Sequence, residues 1–466
     1  MSGPVASRPA YGLLRQLGIV SAIALVVSNM VGTGIFTTTG ILGGQLGSPS
    51  IVLSIWIFGA ICALAGAFCY SELGINFPSS GGEYVYLTEA FGPTWGFMTG
   101  WVSFFAGFSA PIAAAAVGFS DYLGYFFPAL KEKSSEIIIG SGWAAVHIGG
   151  AQAVACGLIA VFTALNCIGV RRVAGVQNVL TGVKVAVLVL FVIVGFAAGG
   201  GNAANFSKAA VRTTSTPLFA QFAISLFFIY VSYSGWNAAT YVAEELKRPA
   251  RTLPVALALG TTLVAAIYVA LNAVFIYAVP LEQMKGVVAV GSLAASHLFG
   301  PQTASLFSAG MAISLLATVN AMVTVGPRVY YAMARNGAFF GAATRVHPRW
   351  HTPVIAIVCQ GICAMLISFS PFRDVLLYIG FTLNFFAGMS VASLFIFRRR
   401  RGWRTLKVVS FAWPLIPVFF ILIGVWITIF GLTLEPKVSF WAVLTVVTGA
   451  LVYHFRLMRS QKSELG

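Results

Sequence analysis

Apolar runs far longer than a soluble helix requires recur along this chain, each closed by a few charged residues. Between Arg15 and Glu72 lie 56 residues without one Asp, Glu, Lys or Arg, and Glu89 to Asp121 and Glu136 to Arg171 enclose 31 and 34 more. Residues 286–327 add 42, and Val375 to Phe397 a further 23. A helix crosses a bilayer in ~20 apolar residues, so the longest run holds two spans. The pattern predicts twelve helices, roughly at 17–46, 50–75, 91–119, 148–169, 174–198, 217–244, 253–279, 302–334, 353–369, 374–397, 409–431 and 438–455. No polar interval between them is long enough for a soluble domain, so the fold class is an all-α membrane protein with a single membrane domain.

Two of these helices are interrupted inside the apolar run. The first contains Ser28-Asn29-Met30-Val31-Gly32-Thr33-Gly34-Ile35-Phe36, and the sixth contains Val231-Ser232-Tyr233-Ser234-Gly235-Trp236-Asn237. Backbone at bilayer depth must satisfy its N–H and C=O groups internally, so a break is tolerated only where it lines a cavity or is buried in protein. Breaks five spans apart are the mark of two five-helix repeats, and an odd number of spans per repeat inverts one relative to the other. A bland alternative is that the glycines are packing notches between helices. The paired placement favours a binding site at the repeat interface. There the second half of the first span offers free N–H groups and a positive dipole end to an anion, and carbonyls around the sixth-span break suit a cation. A ligand with both groups is a zwitterion, as an α-amino acid is.

Composition agrees with the pattern: 58% of residues are hydrophobic and 9% charged, against about 25% charged in soluble domains. The net charge of +16 could mean a nucleic-acid partner, but its distribution assigns it to topology. With the N-terminus inside, segments on that side hold 20 basic residues, including Arg8, Arg15, Arg171, Arg172, Arg328, Arg335 and the run Arg398–Arg401; external segments hold 7. That bias predicts a multi-pass protein of the cell (inner) membrane with both termini cytoplasmic, and no nucleic-acid partner. The six cysteines all fall inside predicted spans, so no disulfide framework is implied. The first helix is too long, and lacks the cleavage site, for a removable signal peptide. No P-loop, HExxH, CxxC or nucleophile-elbow motif is present, which points away from an enzyme, a metal or a cofactor.

Gly32-Thr33-Gly34-Ile35-Phe36, Pro78-Ser79-Ser80-Gly81-Gly82-Glu83-Tyr84-Val85-Tyr86, Gly235-Trp236-Asn237 with Glu244-Glu245-Leu246-Lys247-Arg248-Pro249, and Gly326-Pro327-Arg328 through Asn336-Gly337 together resemble the amino acid–polyamine–organocation (APC) superfamily. Gln177-Asn178 to Lys184 is similar to helix 5 of its L-type amino acid transporter (LAT) branch. The resemblance implies a LeuT-like 5+5 inverted repeat. On that frame the chain divides into a cytoplasmic tail at 1–16, a first repeat at 17–200, a second at 217–400, helices 11 and 12 at 409–455, and a cytoplasmic tail at 456–466. The substrate carboxylate would meet N–H groups of Thr33 and Gly34 in the Gly32 region, and its ammonium carbonyls of Met30, Val231 and Ser234. The family's aromatic gate in helix 6 falls on Val231, so Tyr230 or Trp236 would have to substitute. Animal members of the branch join a partner subunit through a Cys in the external loop after helix 3. Residues 120–147 contain no Cys, so no disulfide-linked partner is expected.

Lys184 is the one charge in the middle of a predicted span, about ten residues or ~15 Å into the fifth at 1.5 Å per residue. A lysine stem can snorkel to an interface, but from the midplane that reach is inadequate, and an intramembrane Lys costs roughly 2.5–3.5 kcal/mol. By resemblance to sodium-coupled relatives of this architecture, where a cation bridges helices 1 and 8, the Lys184 ammonium would take the cation's place beside Thr318 or Asn320. Sodium would then be unnecessary. Because no Asp, Glu or His falls in mid-span, neutral substrates are favoured. Arg15, Glu72, Glu244 and Glu245 are either solvated interfacial charges or a cytoplasmic gate. The function implied is a sodium-independent secondary transporter of neutral L-amino acids, most simply an exchanger; a proton symporter using Lys184 and, more distantly, a non-transporting sensor remain open.

Overall fold

The computed structural model describes residues 13–457 apart from 125, 128–129, 131–136, 141–145, 198–199, 288, 340 and 371. The outer parts of both predicted tails, with Arg8, Arg459 and Lys462, and Lys131 and Lys133 of the loop after the third span, therefore lie outside the described residues. Ten helices among those described are long and apolar enough to cross a membrane. They coincide with the first to eighth, tenth and eleventh predicted spans. At the ninth and twelfth positions stand shorter apolar helices, Val354–Ile367 and Ser439–Phe455. Fourteen residues rise only ~21 Å at 1.5 Å each, so the ninth helix falls short of the ~30 Å hydrocarbon thickness.

Both predicted interruptions are present. In the first span, helix Ile19–Met30 stops at Val31 (φ −77°, ψ 88°), and a second helix, Gly34–Leu46, begins after Thr33. In the sixth, helix Leu218–Tyr233 ends at Ser234, and the chain resumes as a 3₁₀ helix, Ala238–Glu245. Gly235 between them has φ +102°, a conformation that L side chains resist. Its bare Cα is needed for a second reason: a Cβ there would stand 2.6 Å from the Asn29 carbonyl carbon. The third span carries a third irregularity, a π-helical stretch at Ser103–Ser109 between helices Pro93–Val102 and Ala110–Leu123. Such bulges free a carbonyl from the helical ladder, and the Tyr330 hydroxyl donates to Ser103 O at 3.2 Å.

The core is built around the breaks. The seventh span, Pro249–Ala278, packs on the second, Pro49–Asn76, and on the first half of the first span. The eighth, Pro301–Arg335, packs on the second half of the third span and on the fifth, Val170–Ala197. Several elements were not foreseen from the apolar pattern, besides single turns of helix. They are the short helix Glu83–Phe91 between the second and third spans, the helix Val290–Phe299, and an antiparallel hairpin of Ile137–Ile139 with Val146–Ile148. All are shorter than the stretch that hydropathy alone can resolve.

Candidate substrate site at two helix breaks

The two breaks lie against each other. A Cβ on Gly34 would stand 2.5 Å from Ser232 Oγ and 2.8 Å from Ser232 Cα, so only glycine lets the second half-helix come this close to the sixth span. The contact is tied by Thr38 Oγ1 to Ser232 Oγ at 3.0 Å. From the seventh span, the buried Tyr268 hydroxyl reaches both breaks, donating to Met30 O at 2.7 Å and Ser232 O at 3.0 Å. Nothing in the apolar pattern singled out Tyr268; a tyrosine in a hydrophobic helix reads as core until its hydroxyl is seen to have partners.

The groups assigned to a zwitterion differ in how available they are. Gly34 opens a helix, and the first N–H groups of a helix have no partner within it. Of the three carbonyls, that of Met30 accepts from the Gly32 N–H at 2.9 Å as well as from Tyr268, which uses both of its lone pairs. The Val231 carbonyl accepts the Ser234 N–H at 3.1 Å and keeps one lone pair. Below the breaks lies a cavity of about 40 Å³, bordered by Asn29, Ser234, Gly235 and Trp236. The Val231 side chain does not face it. A Cβ on Gly380 of the tenth span would stand 2.7 Å from Val231 Cγ2, so Val231 points across to that helix. Tyr230 and Trp236 line this cavity and a second of about 30 Å³. Trp236 is buried, edge-on to Tyr70 at 4.7 Å and to Phe420 at 5.9 Å. Of the two, Tyr230 is the less confined.

Lys184 is fully buried, and its ammonium donates to Val31 O at 2.7 Å, Thr318 Oγ1 at 2.8 Å and Ser28 O at 3.4 Å. Thr318 Oγ1 in turn donates to Val31 O at 2.7 Å. One side chain thus joins the fifth span, the end of the first half-helix and the eighth span, satisfying three orphan acceptors with three donors. Asn320, grouped with Lys184 on sequence grounds, is placed elsewhere. Its amide donates to Gln177 Oε1 at 2.7 Å and its oxygen accepts from Asn166 at 3.0 Å. Residues two apart on a helix point about 200° apart, so Thr318 and Asn320 cannot share one partner. The Asn320 chain still returns to the first span, because Gln177 donates to Thr181 Oγ1, which lies 2.7 Å from Ser28 Oγ.

On the side of the molecule where the chain enters the first span, carboxylates are paired with arginines, among them Glu89 with Arg400 at 3.6 Å. Glu245 and Arg328, both buried, meet at 2.7 Å. The Glu72 carboxylate accepts from Arg398 Nε at 2.7 Å and Nη2 at 2.6 Å, and from the Trp403 indole N–H at 2.9 Å. Glu244 meets Arg335 at 3.0 Å at the surface. Arg15 is exposed and stands apart from these pairs. Its segment is held by backbone instead, Leu17 N donating to Glu245 O and Lys247 N to Leu17 O. A further carboxylate, Glu83, is buried beside the cavity below the breaks; sequence reasoning placed it in a motif but not in the site.

Paired broken helices, a buried lysine across the first break and separate ion pairs on one face define a membrane carrier of the alternating-access kind. Residues 17–451 match the family described as Amino acid permease, and the chain belongs to that family. It is a transporter of amino acids, and not an enzyme. It is 29% identical to the mouse (Mus musculus) Large neutral amino acids transporter small subunit 2 over 95% of this chain and 81% of that protein. It is 28% identical to the mouse b(0,+)-type amino acid transporter 1, over 95% and 88%, and 26% identical to the mouse Asc-type amino acid transporter 1, over 95% and 81%.

Proposed function

We propose that the chain exchanges neutral L-amino acids across the cell membrane without sodium. The reading rests on one observation above the others: the Lys184 ammonium bridges the Val31 carbonyl and Thr318, a tethered positive charge between the first break and the eighth span. A mobile cation has no role to add there. The relative named for large neutral amino acids supports a neutral substrate. Thr33 and Gly34 would receive its carboxylate, and the carbonyls of Ser234 and Val231, ahead of Met30, its ammonium. Residues 17–200 and 217–400 act as the two inverted repeats, with helices 11 and 12 outside them. The bias of the basic residues supports a cytoplasmic position for both termini and the ion-paired face. In an alternating-access cycle the pairs Glu245–Arg328 and Glu72–Arg398 would close that face, and the absence of Cys from residues 120–147 fits a carrier without a disulfide-linked subunit. The test is uptake of labelled neutral amino acid into liposomes carrying the purified protein. Uptake should require unlabelled amino acid inside and be the same in sodium, potassium and choline; a saturable sodium requirement would reject the reading.

A further inference from the structure

Glu83 is the first residue of the short helix Glu83–Phe91. The chain reaches it through two glycines with positive φ, Gly81 at +117° and Gly82 at +50°, and a Cβ on Gly82 would stand 2.6 Å from the Tyr241 ring. That turn drives the carboxyl inward until the residue is 4% exposed. Glu83 Oε1 accepts from the Tyr70 hydroxyl at 2.6 Å and from Asn237 Nδ2 at 3.1 Å, and Asn237 Nδ2 also donates to Tyr241 Oη at 2.9 Å. One carboxyl therefore holds the second span and the resumption of the sixth span to a helix that packs on the third and tenth. It also borders the cavity below the breaks.

The other described acidic residues of this face, Glu72, Glu89, Glu244 and Glu245, have guanidinium partners. The titratable groups facing Glu83 are Tyr70 from the second span, Tyr86 on its own helix, and Tyr230 and Tyr241 from the sixth span. The third and tenth spans present to the same cavity Ser103, Gly107, Leu383 and Ala387, which do not titrate. No cation is among them. A carboxylate without a cation in a dry pocket is disfavoured relative to its neutral form.

We propose that Glu83 is a proton-binding site whose proton is released to cytoplasmic water when the pathway below the sixth-span break opens, so that cytoplasmic pH sets how readily that side opens. The inference rests on the transport reading for the identity of that side. On opening, the Asn237 contact is lost and water reaches the carboxyl; the proton passes from Glu83 to water and returns from the same side on closure, so no charge is carried across. Burial pushes the Glu83 carboxyl from its ordinary 4.5 up to about 7, against the lowering effect of its hydrogen bonds from Tyr70 and Asn237. The closed form thus binds more proton than the hydrated one between those values. Raising pH through that window favours opening, by up to about tenfold per pH unit, and lowering it favours the closed form.

The experiment is exchange in oriented proteoliposomes with the internal pH varied at fixed external pH. An apparent affinity falls with the fraction of protein in the competent state, so KM for internal amino acid should drop about tenfold or more between about pH 5.5 and about pH 7.5. Glu83→Gln, a fixed neutral isostere, should exchange with the acid-side KM at every pH. Tyr70→Phe, which removes a donor to the anion, should move the midpoint upward. A second readout does not depend on transport: infrared titration of the purified protein should show a protonated-carboxyl band that disappears near neutral pH and is missing in Glu83→Gln. Flat internal KM in a protein that exchanges, or no such band, overturns the proposal. Absence of all exchange in the wild type would instead reject the transport reading, with the infrared titration still deciding the proton site.

Discussion

The Lys184 ammonium and the Val31 carbonyl lie 2.7 Å apart, joining an unbroken helix to the residue at which the first span loses its helical backbone. Val31 caps the half-helix Ile19–Met30, and its carbonyl, left without an N–H four residues on, is one of the orphan acceptors of a helix end. In water such a group would be hydrated. Here Lys184 and Thr318 both donate to it, so the break is stabilised by a charge on one neighbour and a hydroxyl on another.

Replacing sodium by potassium or choline should leave exchange unchanged, because the charge between the first and eighth spans is covalently attached. The measurement is initial uptake rate at matched ionic strength. A rate that saturates with sodium would move Lys184 from the ion-replacing role to a purely structural one.

Lys184→Ala should slow the cycle more than it weakens binding. The ammonium sits behind the break and away from the cavity bordered by Ser234 and Trp236. Hydrogen bonds to a charged group are worth about 1.5–3 kcal/mol, so the maximal exchange rate should fall about tenfold or more while substrate affinity changes little. Affinity falling in step with rate would place the ammonium in direct contact with substrate.

Gly34→Val should abolish exchange and lower the melting temperature together. The first added carbon meets Ser232 Oγ at 2.5 Å and Ser232 Cα at 2.8 Å, so the half-helix must move off the sixth span, taking with it the N–H groups proposed for the carboxylate. Normal uptake by this variant would remove the first-span break from the site.

Glu245→Gln should destabilise the closed form strongly. Arg328 is 1% exposed, and removing the charge from one partner of a buried pair typically costs 3–5 kcal/mol because the other is left uncompensated. Thermal unfolding in detergent should shift downward by several degrees, and a cytoplasmic-side cysteine probe should react faster. An unchanged melting temperature would mean that the pair is not closed in the membrane.

The residues legible from sequence are those whose type conflicts with their surroundings. Lys184 stands out in an apolar helix, and Gly32, Gly34 and Gly235 stand out where a span should continue, so the breaks and the charge between them could be placed by position alone. The pairing of Asn320 with Lys184 failed because it required the rotation between two residues on one helix, which a list of polar positions does not contain. Arg328, Arg335 and Arg398 were missed as partners because they lie 83, 91 and 326 residues from Glu245, Glu244 and Glu72, and contact at that separation is decided by packing. Glu83 was hidden by its address: it lies outside every apolar run, and only the Gly81-Gly82 turn carries it into the interior. Tyr268 gave no signal, since its ring satisfies the pattern and only its hydroxyl does the joining.

Exchange and proton-driven uptake part at the return step, and that step turns on whether Lys184 keeps its proton. The ammonium donates to two carbonyls and a hydroxyl. Each carbonyl is a fixed acceptor, and the Thr318 hydroxyl already directs its own proton to Val31 O. Neutral amine would leave at least one of these acceptors without a donor in a site closed to water, at a cost of about 1–3 kcal/mol. The three acceptors of this state favour the charged form, and a carrier that keeps it through the cycle has no empty state that differs from the loaded one by a proton. Flux should require amino acid on both faces, with internal substrate accelerating uptake at any single pH. An inward proton gradient across liposomes without internal substrate should drive no accumulation. Uphill uptake under that gradient, abolished in Lys184→Ala, would show that the ammonium gives up its proton and would make the protein a symporter.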